Sequence, residues 1–108
     1  MTRRIELLRI RLTSGAGGHP GPVTVRCNGS THPMNRISGG TNPGESYEGE
    51  FFIGSPTEEC SLLGPAESRW DIKEMTVEYD QDGETVVYHF GPLSLAAEDS
   101  VDLLAGPS

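Results

Sequence analysis

Apolar and polar residues alternate with a period of two along much of this chain, and each such stretch predicts a strand with one buried face. Leu8, Ile10 and Leu12 alternate with Arg9 and Arg11, so residues 4–12 read as a half-buried strand with Arg on the outer face. A helix over 3–12 competes, because Leu, Arg and Glu favour helices. Thr13, Ser14 and Gly15 end the segment and no cap begins it, which favours the strand. Residues 15–22 hold four Gly and two Pro and read as a loop. Val23, Val25 and Cys27 then alternate with Thr24 and Arg26 in a second strand, turned by Asn28 and Gly29. In a third strand from Tyr47 to Ile53, Tyr47, Gly49, Phe51 and Ile53 share one face. Glu48, Glu50 and Phe52 take the other. Leu62 and Leu63 mark a short strand or a plug at one end of the core.

The sharpest local pattern lies at 71–90. Met75, Val77 and Tyr79 alternate with Glu74, Thr76 and Glu78; Val86, Tyr88 and Phe90 alternate with Thr85, Val87 and His89. Asp82 and Gly83 between them are a type I′ turn signal. A two-residue loop pairs Gln81 with Glu84, Tyr79 with Val86, Val77 with Tyr88 and Met75 with Phe90. The apolar faces coincide under that register, and a shift by one residue sets Met75, Val77 and Tyr79 opposite the wrong set. Two segments lack such a pattern. Residues 28–46 contain Met34 and Ile37 as their sole apolar candidates and read as a long polar loop, the favoured place for recognition. Residues 93–108 read as a docking tail, or as a short helix capped by Ser94 and running through Ala96, Ala97, Glu98 and Asp99.

The expected fold is therefore all-β: an antiparallel β-sandwich of about six to eight short strands, with a short C-terminal helix as an option. The 108 residues make one domain, and 14 Gly with 8 Pro suit short strands and many turns. No apolar run approaches the roughly 18 residues of a membrane span. No charged n-region and apolar h-region open the chain. The expectation is cytoplasmic synthesis, with association to a particle left open.

Charge changes this picture. Residues 1–44 hold six Arg against Glu6, a net of +5, whereas residues 45–108 hold fifteen acids against Arg69 and Lys73, a net of −13. The plainer reading pairs basic early strands with acidic late strands across the sheet. The sharper one is a molecule with one positive and one negative surface, able to pack on copies of itself or on a charged partner. A single Lys and scattered Arg on an acidic chain disfavour nucleic acid as a partner.

Candidate chemistry is sparse. Cys27 and Cys60 read by default as two reduced thiols, with one disulfide as the alternative. Asp80, Asp82 and Glu84 resemble the start of a calcium loop, but valines follow and the hairpin explains the same residues. Cys27, His32, Cys60 and His89 have no zinc-ligand spacing, so no metal and no cofactor are expected. No Gly-x-Ser-x-Gly elbow or phosphate-cradling glycine motif occurs, and His89 falls on an outer strand face opposite Thr76; a non-enzymatic protein is expected. Trp70, the single tryptophan, is either a core anchor or an exposed aromatic of a binding surface.

The stretch from Leu12 to Gly17, the strand from Val23 to Gly29, the run from Trp70 to Val77 and the hairpin end at Tyr88, His89 and Phe90 resemble the PLAT domain of lipoxygenases, polycystins and the C-terminal part of animal lipases. The likeness covers about half the chain and consists of strand patterning with small loop residues. The Gly-rich first loop lacks the family's Thr-Asp pair, and residues 28–46 have no counterpart in it. The resemblance implies a β-sandwich without catalytic activity that binds a lipid surface or a protein.

The expected function is thus an interaction module, foremost a structural or accessory component of a larger protein assembly, such as a virion decoration protein. A PLAT-like module for a protein or lipid surface and a small acidic inhibitor are the alternatives. Trp70, Arg9, Arg11, Glu78, Met34 and Arg36 are the expected binding residues, with a protein partner or further copies of the chain on the other side.

Overall fold

A computed structural model describes residues 3–18, 23–65, 69–96 and 99–104. Among the described residues the chain forms ten strands, against the six to eight expected: β1 Arg3–Ser14, β2 Thr24–Cys27, β3 Ser30–Pro33, β4 Asn35–Gly39, β5 Ser46–Thr57, β6 Cys60–Leu63, β7 Trp70–Gln81, β8 Glu84–Phe90, β9 Leu93–Leu95 and β10 Ser100–Asp102. They build two antiparallel sheets. One runs β4-β5-β1-β7-β8, with β9 also paired to β7; the other runs β10-β6-β2-β3. Ile5, Leu8, Ile10, Trp70, Met75, Val77 and Tyr79 from the first sheet and Val25, Cys60 and Leu62 from the second share one buried core. The architecture is the β-sandwich that the period-two pattern predicts.

The expected hairpin forms in the expected register, with Gln81, Tyr79, Val77 and Met75 opposite Glu84, Val86, Tyr88 and Phe90. Asp82 and Gly83 have φ of 50° and 85°, the left-handed pair of a type I′ turn. Asn28 and Gly29, at 51° and 83°, make the same turn between β2 and β3.

Three expectations are corrected. Residues 28–46 are not a loop: they carry β3 and β4 at sheet edges, where polar side chains suit strands with little burial. The tail supplies β9 and β10 instead of a helix, and Ser94 lies within β9, where its hydroxyl donates to Asp71 Oδ1 at 2.6 Å. Cys27 and Cys60 are not reduced thiols; they face each other across β2 and β6 and form a disulfide that staples the four-stranded sheet. Residues 19–22 of the expected first loop, Ala97 and Glu98 of the expected helix and residues 105–108 of the expected tail lie outside the described residues.

Register shifts set which side chains enter the core. Ile5 and Leu8 are both buried although three positions apart, because β1 carries one extra residue relative to β7 between them. Strand β5 carries an extra residue at Gly54, whose φ of 64° is that of a glycine bulge. In β7 the extra residue is Lys73, between Ile72 and Glu74, so burial changes phase between Ile72 and Met75. That bulge turns Trp70 and Ile72 inward.

Candidate interaction face

The outer face of the larger sheet collects the charged side chains that the alternation of β1, β5 and β7 turns away from the core. Arg9 on β1 lies directly between Glu50 on β5 and Glu78 on β7. Its guanidinium donates to Glu50 Oε1 from Nη2 at 3.0 Å and from Nε at 3.2 Å, and its Nη1 is 3.5 Å from Glu78 Oε1. One residue pair along, Arg11 Nε sits 3.1 Å from Glu48 Oε2. Arg36 on β4 reaches Glu50 Oε2 at 3.8 Å. The basic early strand is thus flanked by acidic later strands, so the segregation of charge along the sequence resolves into cross-strand pairs. This is the plainer of the two charge readings.

Four of the expected binding residues, Arg9, Arg11, Glu78 and Arg36, come together on this face. Two do not. Trp70 is fully buried, and its indole Nε1 donates to Ser14 Oγ at 3.1 Å. Met34 is buried between β3 and β4, against the backbone of Gly49. Neither has surface to offer a partner. The bulge in β7 accounts for the first, and for the second the strand character of residues 30–39, which lays Met34 over the sheet.

The sequence reading places Phe52 on the same side as Glu48 and Glu50 but does not single it out as a binding residue. Phe52 is 65% exposed, opposite half-buried Leu7 of β1. Its ring lies over Gly54, where a Cβ would come within 2.8 Å of it. Ile37, at the irregularity in β4, is 52% exposed, and Val87 on β8, opposite Glu78, is 43% exposed. The signal for Phe52 was present in the sequence: an aromatic in phase with glutamates on an amphipathic strand.

The other chemical candidates are separated or engaged. The disulfide occupies both sulfurs. His32 of β3 stacks on Phe51 of β5 with ring centroids 5.0 Å apart, bridging the two sheets, while Thr76 Oγ1 engages His89 Nδ1 at 3.1 Å on the outer face. Asp80 accepts a hydrogen bond from Thr85 Oγ1 at 3.1 Å across the hairpin. Among the described residues no group of three or more His, Cys, Asp and Glu side chains is arranged to hold a metal ion. An open depression of about 500 Å³ at the edge of the face is lined by Arg11, Thr13, Ser38, Glu48, Thr76 and His89. The Tyr47 hydroxyl is buried without a hydrogen-bond partner among the described residues and lies toward Gly49, beneath the sheet. Burial pushes its pKa up to about 12. Among the described residues no helix is long and apolar enough to cross a membrane.

No protein-family model, no curated protein and no solved structure matches the chain.

Proposed function

We propose that this protein is a non-enzymatic building block of a larger protein assembly and that the outer face of its six-stranded sheet is a docking surface within that assembly. The observation that carries this reading is Phe52, 65% exposed on the outer sheet face next to the Gly54 bulge, beside the charge ladder of Glu48, Arg11, Glu50, Arg9 and Glu78. An aromatic of this size contributes most of its binding energy when it is desolvated at the centre of an interface. The surrounding charges are already paired across strands, so they fix the strands in register and leave the ring as the anchor. A decoration or accessory subunit of a particle has this character: a β-sandwich that presents a sheet face.

Sedimentation velocity and light scattering test the reading. The wild-type chain is expected to form species larger than a dimer as concentration rises, and Phe52→Glu to remove them while leaving the fold intact. Failure of the wild-type chain to form such species at any concentration or salt overturns the reading. In that case liposome binding or capture by a foreign enzyme becomes the next measurement.

A further inference from the structure

Among the described strands, five are paired on one side only: β3, β4, β8, β9 and β10. Exposed edges template pairing with other chains, and proteins commonly blunt them. Strands β3, β9 and β10 are only four, three and three residues long. In β4 the pairing is interrupted between Asn35 and Ser38, and Arg36 there has a left-handed φ of 50°. Strand β8 has none of these devices. It pairs with β7 over seven consecutive positions without a shift, and its sequence from Glu84 to Phe90 holds no Pro, Gly or Lys.

The register states which groups β8 leaves open. A two-residue hairpin loop closes on a hydrogen-bonded pair, here Gln81 with Glu84, and such pairs recur at every second position. Glu84, Val86, Tyr88 and Phe90 thus bond to β7, and Thr85, Val87 and His89 point their N–H and C=O groups outward. Resting on the assembly reading above, we infer that β8 pairs antiparallel with β8 of a second copy, about a two-fold axis through Val87.

The strand is self-complementary about that residue. Under this axis Val87 faces Val87, Thr85 faces His89 and Val86 faces Tyr88. Every outward N–H and C=O finds a partner, two hydrogen bonds at each of the pairs Thr85 with His89, Val87 with Val87 and His89 with Thr85. The boundaries match as well. The turn at Asp82 and Gly83 falls opposite Pro92 and Gly91, which end β8 at its other side. A slip by two residues loses pairs and runs the strand onto the turn. Glu84 of one copy lies opposite Phe90 of the other, which keeps the two glutamates apart. The half-buried Val86 and Tyr88 gain cover at the open side of the core. Both copies carry a net charge of −8, so salt strengthens this contact by screening. A foreign peptide would pair with the same backbone groups but lacks the symmetry that matches both boundaries.

Light scattering of the wild-type chain and of Val87→Pro, Val87→Lys, Val87→Cys and Phe52→Glu tests the inference. The N–H of Val87 faces outward, so a proline there costs no bond to β7. The wild type and Phe52→Glu are expected to be dimers at moderate concentration, tightening with salt. Val87→Pro and Val87→Lys are expected to be monomers with the circular dichroism of the wild type. Should the proline disturb the fold, the lysine variant decides. The native cysteines are paired with each other, so Val87→Cys introduces a lone thiol, and mild oxidation is expected to give a covalent dimer. A wild-type monomer, a dimer that survives Val87→Lys, a Val87→Cys dimer that does not cross-link, or loss of the dimer in Phe52→Glu overturns the edge pairing. Absence of species above the dimer, with the dimer present, overturns the docking role of the outer face and leaves the β8 pairing standing.

Discussion

Trp70 Nε1 donates a hydrogen bond to Ser14 Oγ at 3.1 Å, and both residues are buried although they are 56 positions apart. The bond joins the end of β1 to the start of β7 at the point where the bulge at Lys73 changes the phase of β7. It gives the indole N–H a partner inside the core, which is the condition under which a tryptophan is buried at low cost. Ser14→Ala removes two hydrogen bonds, since Ser14 Oγ also donates to Thr41 O at 3.3 Å, and is expected to lower stability by about 1–3 kcal/mol. Trp70→Ala is expected to cost about 3–5 kcal/mol by leaving a large cavity. Chemical denaturation measures both. In the wild type the emission of this single tryptophan is expected to be blue-shifted, and an emission maximum typical of a water-exposed indole refutes its burial.

Arg9 balances two carboxylates, and Glu50 is the more buried of them. Arg9→Glu sets three carboxylates side by side across β5, β1 and β7. Its expected cost is about 1–3 kcal/mol, from lost cross-strand pairing and new repulsion. Raised salt should recover part of it by screening. Arg11→Glu touches one more exposed partner and is expected to cost less, since exposed pairs contribute about 0–1 kcal/mol. Equal melting temperatures for the wild type and Arg9→Glu at low salt would sink the charge-ladder account.

The Cys27–Cys60 disulfide closes a sequence separation of 33 residues. Restricting the unfolded chain over such a loop stabilises the fold by about 3–4 kcal/mol in the chain-entropy account. The expectation is a lower urea midpoint on reduction or in the Cys27→Ala, Cys60→Ala double variant. Most of the effect should come from the four-stranded sheet, whose strands are short. A midpoint insensitive to reductant counts against the staple.

Tyr47 is held neutral by burial, with its pKa pushed up to about 12 from an ordinary 10. Below pH 10 the phenol is protonated in both folded and unfolded chains and stability does not depend on it. Between pH 10 and 12 the unfolded chain loses this proton first, so stability falls as pH rises through that window. Tyr47→Phe is expected to remove this part of the alkaline loss. It is also expected to be neutral or stabilising at pH 7, because the hydroxyl is buried without a partner among the described residues. Melting temperatures of the two proteins across the alkaline range check the sign.

Much of the larger sheet is legible in the residues alone. Strands β1, β5, β7 and β8 announce themselves by alternation, and the register of the last two follows from Asp82, Gly83 and the coincidence of apolar faces. The pairing of Arg9 and Arg11 with later glutamates is legible as a charge pattern, though not which glutamate meets which arginine. Strands β3 and β4 are illegible because edge strands with exposed faces need no apolar alternation: β4 is exposed throughout. What composition and period-two patterning determine by themselves is therefore the fold class, the central hairpin and the sides of the strands. Tertiary structure alone decides the bulges, the disulfide and the edges. A bulge is a mismatch between two strands far apart in sequence, and it shifts every side chain beyond it by one face. That is why Trp70 and Ile72 are inside although Lys73 and Glu74 interrupt the alternation of β7.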